Sequence, residues 1–196
     1  AASRLSAQLL ITNHSSTLDA FINARLAEKK LTAAPPADRR SLLRRATYDL
    51  TGLPPTPEEV DAFLADKSPD AFAKVVDRLL NTPGYGERWG RHWLDVARYA
   101  DSNGLDENVA FGNAWRYRDY VVNSFNADKP YDRFVQEQIA GDLLPAVGTP
   151  QRHEQLTALG FLSIGPKLLA EADKVKLEMD LIDEQIDTLG RAFLGM

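Results

Sequence analysis

Tyr85-Gly-Glu-Arg-Trp-Gly-Arg-His-Trp-Leu-Asp-Val-Ala-Arg-Tyr-Ala-Asp-Ser-Asn-Gly104 is the stretch on which the reading of this chain turns. On a helical wheel Trp89, Trp93, Val96, Ala97 and Ala100 fall on one face. Arg88, His92, Asp95 and Tyr99 fall on a second stripe beside it. The apolar face predicts a helix from about Tyr85 to Ala100. The second stripe exceeds what folding needs, because one apolar side suffices to dock a helix. A guanidinium, an imidazole, a carboxylate and a phenol in one row form either a functional surface or an ordered structural network.

The same period runs outward in both directions. Towards the N-terminus, Phe72, Val75, Val76, Leu79 and Leu80 mark a helix opened by Ser68-Pro69 and closed by Pro83-Gly84. Thr56-Pro57-Glu58-Glu59 holds an N-cap threonine, a first-position proline and a capping-box glutamate, and its helix runs to about Ala65. Asp38 caps a helix to about Leu50 with Leu42, Leu43 and Ala46 inward, stopped by Gly52 and Pro54-Pro55. Leu18, Phe21, Ile22 and Leu26 give helical spacing over Thr17 to Lys30, ended by Ala33-Ala-Pro-Pro36. Residues 1–16 are polar and poorly patterned and read as a tail or arm.

Towards the C-terminus, 101–112 reads as an irregular loop. Asn113 caps a helix to about Asn126, Lys129-Pro130 starts one ending near Gly141, and Thr149-Pro150 starts one ending at Gly160 or beyond. After Gly165-Pro166 a last amphipathic helix covers roughly Glu171 to Phe193. No strand pattern, repeat or low-complexity tract is present. The expected fold is therefore all-α, about eight or nine short helices in an irregular, orthogonal-type bundle; a regular four-helix bundle uses longer rods. The expected division is a tail over 1–16, a helical core over 17–165 and a C-terminal helix over 166–196 that leads toward a downstream module.

The totals exclude several chemistries. With 196 residues the chain is long enough to bury a core without a metal or disulfide. It has no cysteine, which removes thiolate metal sites, a cysteine nucleophile and covalent haem attachment from these residues. The net charge of −5 opposes non-specific nucleic-acid binding. No apolar run reaches the roughly 18 residues a bilayer span needs.

Four groups of residues carry candidate chemistry. His92 and Asp95, three apart, can share a helix face as a general base and its orienting carboxylate, with Asp101 nearby. An ion-pair lattice, with Asp95 between Arg91 and Arg98, is the plainer reading. Asp101, Asn103 and Asp106 place oxygen ligands at near-alternate positions around Gly104, as part of a calcium loop would. Their spacing does not match an EF-hand, and an ordinary Asn-Gly turn also accounts for them. Arg88, Trp89, Trp93, Tyr99, Asn103, Trp115 and Arg116 are the binding candidates, since Trp, Tyr and Arg can stack on sugars or bases. Core packing is the alternative for the tryptophans. Arg118 falls among Ala114, Val121 and Phe125, and Gln138 falls in the arc of Tyr131, Phe134 and Val135, with Asp142 a turn beyond. These three predict an inward polar network in which Arg118 meets Asp142, Asp95 or Asp101. Asp180, Asp183, Glu184 and Asp187 line one side of the last helix and read as a solvated face, opposite Leu177, Leu181 and Leu189. His14 and His153 are assigned no role.

Several long motifs resemble one known family. Arg44-Arg-Ala-Thr-Tyr-Asp-Leu-Thr-Gly-Leu-Pro-Pro-Thr-Pro-Glu-Glu-Val60, the stretch 85–104, Asn113-Ala-Trp-Arg-Tyr-Arg-Asp-Tyr120, Phe125-Asn-Ala-Asp-Lys-Pro-Tyr-Asp-Arg-Phe134 and Gln138-Ile-Ala-Gly-Asp-Leu-Leu-Pro145 are similar, in order and spacing, to the planctomycete cytochrome-c-associated domain. That is a bacterial domain of unknown function. The resemblance covers Leu18 to Met196 and implies a large exported protein of the periplasm or cell envelope, with a cytochrome-c-like or an uncharacterised domain as neighbour. Beyond a segment like 187–195, family members usually continue into Cys-x-x-Cys-His. On that resemblance haem or metal is expected in a downstream module, not here. The family supplies no catalytic residues to carry over. The expected function is a non-catalytic helical scaffold or docking domain. The alternatives are a hydrolase or redox enzyme on envelope polysaccharide using His92, Asp95 and Asp101, and a glycan-binding module using Trp89, Trp93 and Trp115.

Overall fold

Capping chemistry sets where the second and third helices begin. The computed structural model describes residues 17–105 and 107–195. Helix α1 spans Thr17–Glu28 and α2 spans Arg39–Thr51. The Asp38 carboxylate accepts from the Ser41 N–H at 3.0 Å and so satisfies one of the free donors at the start of α2. Gly52, at φ 74°, closes the helix in the left-handed conformation that glycine adopts without steric cost. The predicted capping box is formed: Thr56 Oγ1 accepts from Glu59 N at 3.2 Å, and Glu59 Oε2 accepts from Thr56 N at 2.8 Å. It starts α3, Pro57–Ala65, and α4 follows over Ala71–Leu80.

The chain divides into two compact units, one ending at Gly84 and one beginning at Tyr85, a division the sequence reading does not draw. In the first, α2 packs on α3 and α4 around buried Leu43, Phe63, Ala71, Val75 and Leu79. Arg39 lies over the Phe63 ring at 4.1 Å and donates to the carbonyls of Phe63 and Asp66, the C-terminal end of α3. An arginine there supplies donors to carbonyls that the helix leaves unpaired. The expected inward face of α1 is not observed. Leu18, Phe21 and Ile22 are exposed among the described residues, and only Leu26 is half-buried. Helical spacing fixes which residues share a face; it does not provide a partner for that face.

The second unit contains α5 (Pro83–Val96) from Tyr85 onward, α6 (Ala114–Asn126), α7 (Tyr131–Ala140), α8 (Thr149–Ala158) and α9 (Lys174–Leu189). A 3-10 turn, Leu159–Leu162, extends α8, and a π turn, Gly190–Leu194, extends α9. Among the described residues the elements are nine α-helices and these two turns, with one isolated bridge between Ser102 and Ala110. The fold is all-α. The core gathers Ala97, Tyr117, Tyr120, Val121, Phe134, Ala158, Phe161 and Ile164, with Trp93 and Phe193 packed against it. Trp93 lies 5.0 Å from Phe134 and 5.5 Å from Phe161, ring to ring. Gly86 and Gly90 face α6, and a Cβ on Gly86 would stand 2.4 Å from the Val122 carbonyl oxygen. Only glycine lets the two backbones approach that closely.

Two expected boundaries of α5 are corrected. Pro83 does not merely end the preceding helix but opens α5, at the position where a missing N–H costs nothing. The far end stops at Val96, not Ala100. Arg98 adopts φ 54°, and Tyr99 N–H reaches back five residues to Leu94 O at 2.9 Å. That bond, with a left-handed residue just past the helix, is the Schellman closure.

Candidate functional site

The early stop of α5 dismantles the four-residue stripe. Arg88, His92 and Asp95 remain on the helix, while Tyr99 lies beyond it and donates to Asp101 Oδ1 at 2.7 Å. Burial, and then the Asp101 carboxylate, push the Tyr99 phenol up to about 12. His92 and Asp95 are both exposed and do not hydrogen-bond to each other; the His92 ring instead lies 5.4 Å from that of Trp89. The lattice of Asp95 between Arg91 and Arg98 is not formed, because Asp95 makes no ion pair among the described residues and Arg98 turns elsewhere. Arg88 is half-buried, its Nε shielded from solvent.

Asn103 is fully buried and organises the loop. Its amide donates to Lys167 O at 3.0 Å and to Glu107 at 3.2 Å, and its Oδ1 accepts from Val109 N at 2.7 Å. These bonds tie the loop at Glu107 and Val109 to Lys167 in the segment before α9, a structural role that the alternation of oxygen ligands does not reveal. Asp106 lies outside the described residues, as do 1–16 with His14. Among the described residues no three His, Asp or Glu side chains are grouped as a metal site would need.

The tryptophans do not share a platform. Trp93 is in the core, Trp89 is half-buried, and Trp115 is nearly half-exposed with the Arg116 guanidinium 5.1 Å from its ring. Beside Arg116 a cleft of about 520 Å³ is floored by Tyr117, Leu159 and Ile164 and edged by Asn113, Thr157 and Ser163.

The expected inward network holds at one of its three positions. Gln138 is fully buried and accepts from Trp93 Nε1 at 2.7 Å and from the Tyr117 hydroxyl. Arg118 is exposed and pairs with its neighbour Asp119 at 2.8 Å, so none of Asp142, Asp95 or Asp101 holds it. Asp142 is also exposed, and only its backbone carbonyl is engaged, by Arg152. The wheel places the Arg118 Cα beside apolar residues, but a long side chain leaves that neighbourhood at little cost.

A buried acid takes the place that sequence reading gave to Arg118. Glu137 is 3% exposed and accepts from Lys129 Nζ at 2.6 Å, Tyr120 Oη at 2.8 Å and Arg133 Nε at 3.0 Å. Burial pushes its pKa up, but Lys129, Tyr120 and Arg133 together outweigh burial and hold it below the usual glutamate range. The spacing of Arg133 and Glu137, four apart, is the sequence signal for the pair. Nothing local announces that Lys129 closes it.

Arg98 binds the last helix. Its guanidinium meets Glu184 at 2.8 Å and Asp187 at 3.2 Å, and also donates to Thr188 Oγ1. The acidic row therefore splits. Asp180 and Asp183 are exposed as expected, whereas Glu184 and Asp187 are half-buried against Arg98. With that anchor, α9 presents two sides of different character. Leu177, Leu181, Glu184 and Thr188 are half-buried or buried. Val175, Met179, Ile182 and Ile186 are exposed at 72, 51, 39 and 61% respectively. Both rows step by four, three and four residues, the interval at which side chains stack along one helix face. An ordinary surface helix has one apolar stripe facing inward. Here a second apolar row lies outward, which sequence reading missed because it assigned the outer side to the carboxylates.

What these side chains define is an all-α fold in which Asn103, Glu137 and Gln138 are buried and hydrogen-bonded within the second unit, and in which α9 carries an outward apolar row. A family model, PSCyt2, protein of unknown function (DUF1549), matches residues 17–196. The chain belongs to this family, the planctomycete cytochrome-c-associated domain family that its motifs resemble. Among curated proteins and among solved structures nothing matches.

Proposed function

We propose that this domain is a non-catalytic scaffold that docks another protein surface on the outer row of α9, within an exported, cytochrome-c-associated bacterial protein. The observation that carries the reading is the exposure of Val175, Met179, Ile182 and Ile186 on a helix whose other side is already anchored by Arg98. Four large apolar side chains in one row make a contiguous patch of the kind that marks an interaction surface. Export and the association with a cytochrome-c-like neighbour come from the family resemblance, and the absence of cysteine leaves covalent haem to such a neighbour.

The test is the rate at which dilute peroxide oxidises Met179, read from the mass of the tryptic peptide Leu177–Arg191. In the isolated chain at nanomolar concentration the thioether is open to solvent and oxidises at the rate of free methionine. In the native protein from its bacterial source, docking slows it at least about tenfold. Equal rates in the two samples would remove the docking reading.

A second reading has the cleft beside Arg116 in its favour: about 520 Å³, apolar floor, polar rim. Concave sites of that size and lining hold small ligands, and the exposed Trp115 ring beside Arg116 suits a sugar. Titration of Trp115 fluorescence with envelope oligosaccharides tests it; a flat response to all of them counts against a glycan module.

A further inference from the structure

Resting on the docking reading, the geometry of α9 also points to what lies on it. We infer that α9 pairs antiparallel with α9 of a second copy of this chain, along the seam Val175, Met179, Ile182 and Ile186. The four-three-four spacing is that of the a and d positions of a two-helix seam, with Val175 and Ile182 as d and Met179 and Ile186 as a. The inner row, already used against the body of the unit, lies on the opposite side of the helix. The seam extends over eleven residue steps, roughly 16 Å at about 1.5 Å each.

Charge chooses the direction. Positions flanking the seam are Lys176 and Asp183 on one edge and Glu178 and Gln185 on the other. In an antiparallel pair Val175 faces Ile186 of the second copy and Met179 faces its Ile182. Each Lys176 then lies opposite Asp183 of the other copy, twice by symmetry, and Glu178 meets the neutral Gln185. A parallel pair sets Glu178 against Asp183 instead, two like charges. Asp183 is exposed and makes no ion pair among the described residues. Lys176 is exposed and already bridges Glu171 and Asp180. Those two bonds leave its ammonium a third donor for Asp183 of the second copy. More broadly, Lys174 and Lys176 sit near the start of α9, and Asp183 and Asp187 in its second half. That order opposes the helix dipole in a lone helix, and antiparallel pairing satisfies both the charges and the dipoles. The contact is self-complementary, as a two-fold interface must be. A single helix pair of this length falls below the roughly 1,000 Å² of a standard interface, so the dimer is weak, with a Kd on the order of tens of micromolar.

The experiment uses the full chain, which has no cysteine and so gives clean cross-linking. Sedimentation equilibrium should show a monomer–dimer equilibrium, and Ile182→Asp should raise its Kd at least about tenfold with the helical circular-dichroism signal retained. Val175→Cys mixed with Ile186→Cys should form the disulfide-linked dimer readily under mild oxidation. Val175→Cys alone should not, because antiparallel pairing keeps its two copies at opposite ends of the seam. A chain that stays monomeric at about 200 µM, or a Val175→Cys sample that cross-links as fast as the mixture, overturns the inference. A monomer whose Met179 is nonetheless protected in the native protein keeps the docking surface and discards the second copy as its occupant.

Discussion

At the scale of single residues, the most consequential side chain is Glu137. It is an acid buried among aromatics, kept charged by Lys129 and Arg133 and hydrogen-bonded by Tyr120. Removing its charge leaves two cations near the core without their counter-ion, and Glu137→Gln is expected to cost about 3 kcal/mol in urea denaturation. The pH dependence follows from the lowered pKa. A depressed carboxylate stabilises the fold fully above its unfolded value, near 4.5, and that share is lost as pH falls through the lower folded value. The wild-type chain is therefore expected to lose stability below about pH 4.5 along a steeper limb than Glu137→Gln. Equal acid limbs by chemical denaturation would show that Glu137 is not the group responsible. Gly86 offers a second check, on packing rather than charge. Its Cβ would meet the Val122 carbonyl and the Asn126 side chain, so Gly86→Ala is expected to destabilise by about 1–3 kcal/mol even though alanine is the better helix former.

At the scale of elements, helix ends govern how α5 and α9 meet. Arg98 takes the left-handed position that closes α5 although it has a Cβ, at a cost of roughly 1–2 kcal/mol. The same turn aims its guanidinium at Glu184, Asp187 and Thr188. The two contributions separate by substitution. Arg98→Ala keeps the strain and loses the clasp; Arg98→Gly loses the clasp and relieves the strain. Arg98→Gly should therefore be the more stable variant by about 1 kcal/mol, with both below wild type, as read from urea midpoints. In the first unit, Thr56→Ala removes the reciprocal bonds with Glu59 and should cost about 1 kcal/mol, seen as a lower melting temperature.

At the scale of the molecule, two cores form within the two units. Leu43, Phe63, Ala71, Val75 and Leu79 close one, and the aromatic group around Tyr117, Phe134 and Phe161 closes the other. Each has its own buried apolar side chains, capped helices and short connections, which is what a folding unit needs. A fragment of residues 81–196, keeping the start of α5, is expected to show helical circular dichroism and one cooperative thermal transition. A fragment that lacks a cooperative transition would mean that the second core is incomplete by itself.

The sequence by itself determined the fold class and most helix starts, while α4, α5 and α9 begin two or three residues from where it placed them. The starts it placed depend on interactions within four residues, as of Asp38 with Ser41 and of Thr56 with Glu59, and on the prolines that open α3 and α8. It also determined the family, because long motifs keep their order and spacing from Leu18 onward. The tertiary structure alone decided which polar residues lie inside. Periodicity locates a Cα on a face, and the wheel put Arg118 and Gln138 on equal footing there. Gln138 has short reach and finds Trp93 and Tyr117 beside it, so it stays inside; Arg118 is long enough to leave and does. The closure of α5 at Arg98 was equally hidden, since its driving contacts with Glu184, Asp187 and Thr188 lie some 86 to 90 positions away in the chain. For the same reason the outer row of α9 emerges only once Arg98 has fixed which side of that helix faces inward. Local chemistry is written in neighbouring residues, while burial depends on what the rest of the chain brings near.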